Sequence, residues 1–418
     1  MGDMRGREVE LDATNIAHGG ISVARLDGRV VFVSDAIPGE RVVARVTDDT
    51  KAAFWRAETV RVIQPSIHRR PHPWAEAALE RDPAERAGGA EFGHIALEHQ
   101  RELKRQVLRE ALARFGGVEL DTQVEALPSP GREEQGADGT GWRTRVRLHV
   151  ADDGTVGPYA ARSHTVIPVT DLPLAVDEVR EIAPLAERFA PGTGHVDLLS
   201  PAIGGARLIV GAQATSVVRE VVGDREFVVD DSGFWQVHRH AAQTLSDAVA
   251  QAVDERLFDP RAANLDLYGG VGLLAAAVGD RFGPTVRITS VESDARATDH
   301  AAENLADWVG ASTATARVEH WVRGLTTAST AERARLAAAT VVLDPPRAGA
   351  GRAVIDALTS VGPAQLIYVA CDPVAFARDV GLLAARGYRL ERLRAFDLFP
   401  MTHHVEAVGH LVRDTAAR

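Results

Sequence analysis

Hydrophobic positions follow three successive rhythms along this chain. Residues 1–64 carry short runs of alternating or β-branched residues: Val9-Glu10-Leu11, Ile21-Ser22-Val23-Ala24-Arg25, Val30-Val31-Phe32-Val33, Arg41-Val42-Val43-Ala44-Arg45-Val46 and Ala57-Glu58-Thr59-Val60-Arg61-Val62-Ile63. Gly19-Gly20, Asp27-Gly28 and Pro38-Gly39 punctuate them, which predicts five short strands joined by tight turns. Such a set suits a small closed barrel of the oligonucleotide-binding kind. A barrel of this size can also simply cap another domain.

Residues 65–240 change texture. Ile67-His68-Arg69-Arg70-Pro71-His72-Pro73-Trp74 opens an irregular stretch. Its histidines, His68, His72, His94 and His99, fit no metal-ligand spacing and are expected to be solvated or locally bonded. Residues 96–115 predict a helix with the stripe Leu97, Leu103, Val107, Leu108 and Leu112. Arg101, Lys104, Arg105 and Arg109 lie largely off that stripe and read as a solvated face. This helix is expected to pack on the C-terminal domain. Residues 120–230 read as strand-rich, with a polar, glycine-rich loop from Pro128 to Gly141. In Trp142-Arg143-Thr144-Arg145-Val146-Arg147 a strand sends three arginines to one face. That row suits a phosphate backbone, or is an ordinary exposed sheet face.

From residue 241 apolar strands alternate with helices. Strands are predicted at 263–268, 287–292, 340–344 and 365–370, and helices at 241–258, after the glycine turn, at 295–309, 350–360 and 374–386. The pattern is a doubly wound α/β sheet. Residues 399–412 add a further strand. The expected domains are thus a β-barrel at 1–64, a strand-rich central domain at 65–240 and an α/β domain at 241–418.

Composition narrows the setting. The chain is 45% hydrophobic and 25% charged with a net charge of −11, the make-up of a globular protein that does not hold nucleic acid by long-range attraction. A local basic groove is compatible with it. No apolar stretch approaches the roughly 18 residues of a membrane span, and the start lacks a signal-peptide core. A cytoplasmic location is the expectation, with no membrane partner. One cysteine among 418 residues excludes an internal disulfide framework and an all-cysteine cluster.

That cysteine, Cys371, ends the apolar run Leu366-Ile367-Tyr368-Val369-Ala370. Asp372 is a good N-cap and Pro373 a good first helical residue, so the thiol is expected beside a helix N-terminus, where partial positive charge favours a thiolate. A lone cysteine is more often an inert, buried hydrophobe, so its neighbours decide. Asp266-Leu267-Tyr268-Gly269-Gly270-Val271-Gly272 follows a strand and opens a helix, and Glu292 ends the next strand. This predicts a nucleoside-bearing cofactor, with the acidic residue on the ribose. The glycines do not follow G-x-G-x-x-G. Asp266, together with the stiff lip Asp344-Pro345-Pro346-Arg347, favours S-adenosylmethionine over a dinucleotide.

Taken together, these motifs resemble TRAM-domain class I RNA uracil-5-methyltransferases over nearly the whole chain. Ala17-His18-Gly19-Gly20-Ile21-Ser22-Val23-Ala24 is similar to the TRAM barrel. Phe234-Trp235-Gln236-Val237-His238 is similar to the family's F-x-Q-V-N segment, and Asp266–Gly272, Asp344–Arg347, Ala370-Cys371-Asp372-Pro373 and Phe399–Glu406 match in order and spacing. The resemblance implies a Rossmann-like methyltransferase domain, S-adenosylmethionine as cofactor and tRNA or rRNA as substrate. It places the nucleophile on Cys371, the catalytic base on Glu406, and cofactor contacts on Gln236, Tyr268, Glu292 and Asp344. No obligate protein partner is implied.

The departures are specific. Asp372 and His238 stand where asparagine is usual, and Leu273 follows the glycine turn. Gly88-Gly89-Ala90 stands where G-G-C is usual, so no iron–sulfur cluster is expected, and its role is met by local packing or is absent. His403 and His404 flank the proposed base, and Phe234 and Trp235 are candidates for stacking on bases. Two other readings stay open: an amino-group methyltransferase, because D-P-P loops also bind exocyclic amines, and a non-catalytic RNA-binding protein.

Overall fold

A computed structural model of the chain describes residues 4–127 and 138–414. Most of the loop expected from Pro128 to Gly141 lies outside the described residues.

The N-terminal sheet has six strands rather than five. Glu8–Asp12, Arg41–Asp48, Phe54–Gln64, Arg29–Ser34, Ile21–Leu26 and Asn15–Ala17 neighbour one another in that order. The strand missed in the sequence, Asn15–Ala17, has only Ile16 as a strong strand residue. It lies two residues beyond Glu8–Asp12, which pairs at the opposite edge. The chain therefore switches partners across Ala13-Thr14 and draws the two edges together into a barrel. Leu11, Val31, Val33, Val42 and Ala44 fill it.

The middle of the chain holds a four-stranded sheet, ordered Arg207–Val210, His195–Leu199, Arg145–Val150, Val156–Gly157, and a hairpin of Val217–Val222 with Arg225–Asp230. The expected arginine row does not form. Arg143 precedes the strand and gives its Nε–H to Arg145 O. Arg145 is bound to Gly233 O and Glu220, and Arg147 makes two 2.7 Å bonds to Asp197.

The C-terminal sheet is the frame for the site. Its order is Ala311–Thr315, Ile288–Glu292, Asn264–Leu267, Thr340–Leu343, Gln365–Ala370, Glu406–Arg413, Tyr388–Asp397, Val124–Ala126. The first five are parallel, and Glu406–Arg413 runs antiparallel between its neighbours. Successive residues face opposite cores: Leu366 and Tyr368 join one, Ile367 and Val369 the other. That is the doubly wound arrangement the near-continuous apolar strands predict. Two strands were missed. Ala311–Thr315 is an edge strand with little apolar content, and Tyr388–Asp397 is rich in charge. Helices Val318–Leu325 and Thr330–Ala337 were missed with them. The expected strand from 399 starts only at Glu406, because 399–405 forms a turn.

Helix Leu97–Ala111 and strand Val124–Ala126 precede the α/β run in sequence yet pack on it. Lys104, read as solvated, is 1% exposed and bonds Asp397 Oδ1 at 2.5 Å and Phe399 O at 3.0 Å. The four histidines are local. His72 contacts Ala90 O and accepts the Trp74 N–H, His68 stacks on His99, and His94 is buried. No group of three or more His, Cys, Asp or Glu suited to a metal occurs among the described residues. No helix among them is long and apolar enough to cross a membrane.

Candidate active site

The carboxyl ends of the parallel strands converge on one cavity of about 1400 Å³, at the position where ligands bind in open α/β sheets. Tyr268 follows Asn264–Leu267, Glu292 ends Ile288–Glu292, Asp344 follows Thr340–Leu343, and Cys371 follows Gln365–Ala370. Glu406 opens the antiparallel strand. Ala370 is paired with Ala407, so Cys371 and Glu406 fall opposite each other one step further along that register. Gln236 reaches the same cavity from the loop after the hairpin. All six sequence-predicted residues line it.

The glycine turn is built for close backbone approach. A Cβ on Gly269 would lie 2.0 Å from Ser290 Oγ. Tyr268, at φ +64°, holds a left-handed conformation that costs a side-chain-bearing residue about 1 kcal/mol or more. Its hydroxyl is buried without a hydrogen-bond partner. Glu292 accepts N–H bonds from Gly270 (3.2 Å) and Asp294 (2.9 Å), which fixes its carboxylate at the rim.

Charge in the cavity is predominantly acidic. Burial pushes Asp266 and Asp344 up to about 7. Burial, with Asp344 nearby, pushes Glu406 well above the ordinary carboxylate range. Burial and then the Glu406 and Asp344 carboxylates push the Cys371 thiol up to about 12, with Arg347 pulling the other way. The expected thiolate-favouring helix end is thus overruled. Asp372 does cap the helix Pro373–Ala384, but its Oδ1 takes the N–H groups of Val374 and Ala375, at 3.0 and 2.8 Å. Pro373 has no N–H, so these helix-end donors serve the carboxylate rather than the sulfur.

A nucleoside carrying a cationic sulfonium and ammonium fits this donor set. The buried carboxyls lack a matching cation, backbone N–H groups hold the Glu292 carboxylate at the rim, and the Tyr268 hydroxyl has no partner. Around the cavity, Phe234 is 76% exposed on the rim, whereas Trp235 packs inside against Phe227. Of the two expected stacking residues, therefore, only Phe234 is open. His238 is buried, stacked on Trp142, and pushed down to about 3 by burial. His403 is bound to Glu91, and His404 lies 3.4 Å from Arg347. Arg143 and Arg347 also line the cavity. Arg347 sits in the D-P-P-R run. Arg143, read in the sequence as part of an arginine row, reaches the cavity apart from Arg145 and Arg147.

Sheet and cavity together define a class I methyltransferase. A family profile described as tRNA (Uracil-5-)-methyltransferase matches residues 230–414, and one for the TRAM domain matches residues 2–60. Among curated relatives, a protein of Streptomyces avermitilis named "Uncharacterized RNA methyltransferase" is 36% identical, aligned over 97% of this chain and 98% of its own. A Bifidobacterium longum protein of the same description is 32% identical over 97% of each. The fold matches that of the Pyrococcus abyssi tRNA (uracil-54, C5)-methyltransferase solved with S-adenosyl-L-homocysteine. The TM-score is 0.68 at 20% identity, covering 97% of this chain and 100% of that one. The chain belongs to the TRAM-bearing family of S-adenosylmethionine-dependent RNA (uracil-5-)methyltransferases.

Proposed function

We propose that this protein methylates carbon 5 of a uridine in tRNA or rRNA through a covalent adduct between Cys371 and carbon 6. The observation that carries the reading is the register of two strands, which sets Cys371 and Glu406 opposite each other in the cavity that also holds Asp344, Glu292 and Tyr268. Uracil carbon 5 is a poor nucleophile. The Cys371 sulfur gives its proton to solvent, bonds to carbon 6 and pushes the ring π electrons through carbon 5 to the carbonyl oxygen, making carbon 5 electron-rich. Bound S-adenosylmethionine supplies the electrophilic methyl group. Glu406 then takes the proton from carbon 5, those electrons re-form the double bond, and the sulfur leaves carbon 6. Glu292 and Tyr268 hold the nucleoside, and Gln236 and Asp344 orient cofactor and target. A carboxylate whose pKa is raised by burial is a stronger base once ionised, and a cation bound beside Glu406 and Asp344 favours that ionised form.

Residues 241–418 carry the chemistry in this reading, and residues 1–64 and 65–240 hold the RNA. The target base must leave its stack to reach the cavity, and Phe234 is the open ring to receive it or its neighbour.

The test is incubation of the protein with labelled cofactor and unmodified tRNA or rRNA, followed by nucleoside analysis. 5-Methyluridine is the expected product. RNA bearing 5-fluorouridine, which has no proton for Glu406 to remove, should accumulate as a covalent complex with the protein, and Cys371→Ala should abolish it. Methylation that persists in Cys371→Ala would overturn the mechanism.

A further inference from the structure

The residue after the proposed nucleophile bears a charge. One oxygen of Asp372 caps its helix. The other, Oδ2, lies 3.1 Å from Nε2 of His18 on the barrel. Asparagine would cap the helix equally well without a charge, so the cap alone does not call for a carboxylate. The turn carrying His18 is pressed against the α/β domain. Gly20 adopts φ +72°, and a Cβ there would lie 2.6 Å from His403 Cβ, so only glycine lets this loop approach so closely. His18 and Cys371 line the same cleft of about 120 Å³.

The other charged and titratable groups around that cleft are basic or already engaged. Arg347 and His404 face it from the α/β domain. His403 is bound to Glu91, and Lys104, from helix Leu97–Ala111, is bound to Asp397. Asp372 is therefore the anion paired with His18, and its bond raises the His18 pKa. A bare carboxylate beside Cys371 disfavours the thiolate, and Asp372 is among the groups that push the thiol up.

We infer that His18 is a positioning residue for the methylation reaction: by pairing with Asp372 it neutralises the carboxylate next to Cys371 and ties formation of the reactive sulfur to docking of the barrel. This rests on the reading of Cys371 as nucleophile. Barrel and α/β domain must be in contact for the thiolate to be favoured. Above the raised pKa of His18 the proton is lost, and with it the compensation.

Cys371 is the only cysteine, so iodoacetamide alkylation of the whole protein reports its thiolate directly. The experiment is a double-mutant cycle of His18→Ala and Asp372→Asn, with His18→Gln as a variant that keeps a polar side chain in the loop. In the native background either His18 substitution should slow alkylation at fixed pH by about 10-fold, equivalent to a shift of about one pH unit, and lower kcat more than it raises KM for RNA. In the Asp372→Asn background the same substitution should change the alkylation rate by less than about 2-fold, because the charge it compensates is gone. Equal losses in both backgrounds, or an unshifted alkylation profile in His18→Ala and His18→Gln, would overturn the inference. Its failure is distinguishable from failure of the enzymatic reading. Alkylation needs no RNA, whereas that reading stands or falls on the wild-type adduct with 5-fluorouridine RNA.

Discussion

Asp266 and Glu406 are buried, Asp344 lines the cavity with Glu406, and each of the three is more easily protonated than an ordinary carboxylate. Asp266 has one oxygen without any hydrogen-bond partner, while the other accepts from Ala275 N at 3.1 Å. Its folded pKa, about 7, exceeds the model-peptide value of 3.8. Between those values the unfolded chain holds fewer protons than the folded one, so this group's contribution to stability falls as pH rises from about 4 through about 7. Cofactor-free protein should therefore melt at lower temperature at pH 8 than at pH 5.5. Asp266→Asn should relieve this at pH 8 by on the order of 2–4 kcal/mol and flatten the dependence. Chemical denaturation at the two pH values checks this, and a wild-type slope in the variant would refute it. The same scale governs catalysis. Glu406→Gln should leave sulfur addition possible but remove the base, so that unmodified uridine RNA itself accumulates as adduct while turnover drops about 10²–10⁴-fold. Gel mobility of the RNA–protein complex reads the first, and nucleoside analysis the second.

Helix Leu97–Ala111 shows how an element can be legible as a helix and misread on its faces. The Leu103 and Leu108 stripe is buried, as its spacing requires, but so are Gln100 and Lys104. Gln100 gives its amide to Phe92 O and Ile95 O and accepts the Met401 N–H, each at 2.9 Å. Lys104 anchors the 397–399 segment, from which the chain turns into His403 and His404. Removing one partner of a buried pair leaves an uncompensated charge, so Lys104→Ala should cost about 3–5 kcal/mol in urea unfolding. It should also lower kcat by loosening the turn that precedes Glu406. Undiminished stability would mean that water replaces the ammonium. The segment around residues 72–90, which carries no cysteine, obeys the same logic. His72 packs against Gly93 so tightly that a Cβ there would sit 2.2 Å from its Nε2, and Trp74, Ala87 and Ala90 are buried around it.

At the scale of the whole molecule, Ile16 and Ile37 of the barrel, Phe92 and Ile95 of the following segment and Leu103 of the helix form a single apolar cluster. The barrel is fastened to the rest by hydrophobic burial as well as by His18. Ile37→Ala should cost about 2–5 kcal/mol and shift the unfolding of the entire chain. A separate early transition of the barrel alone would show it to be loosely attached. The sequence by itself determined the doubly wound pattern, a barrel and the shared sheet edge of Tyr268, Glu292, Asp344 and Cys371, while Glu406 and Gln236 entered only through the family resemblance. Strand periodicity is local, and residues at strand ends share one edge of a sheet whatever else the chain does. Tertiary structure decided the rest. It paired Arg145 and Arg147 internally, buried Trp235 while leaving Phe234 open, and pushed up the thiol of a cysteine expected as thiolate. Pairing, burial and protonation depend on desolvation and on charges brought close from distant positions, and no local pattern of residues encodes those distances.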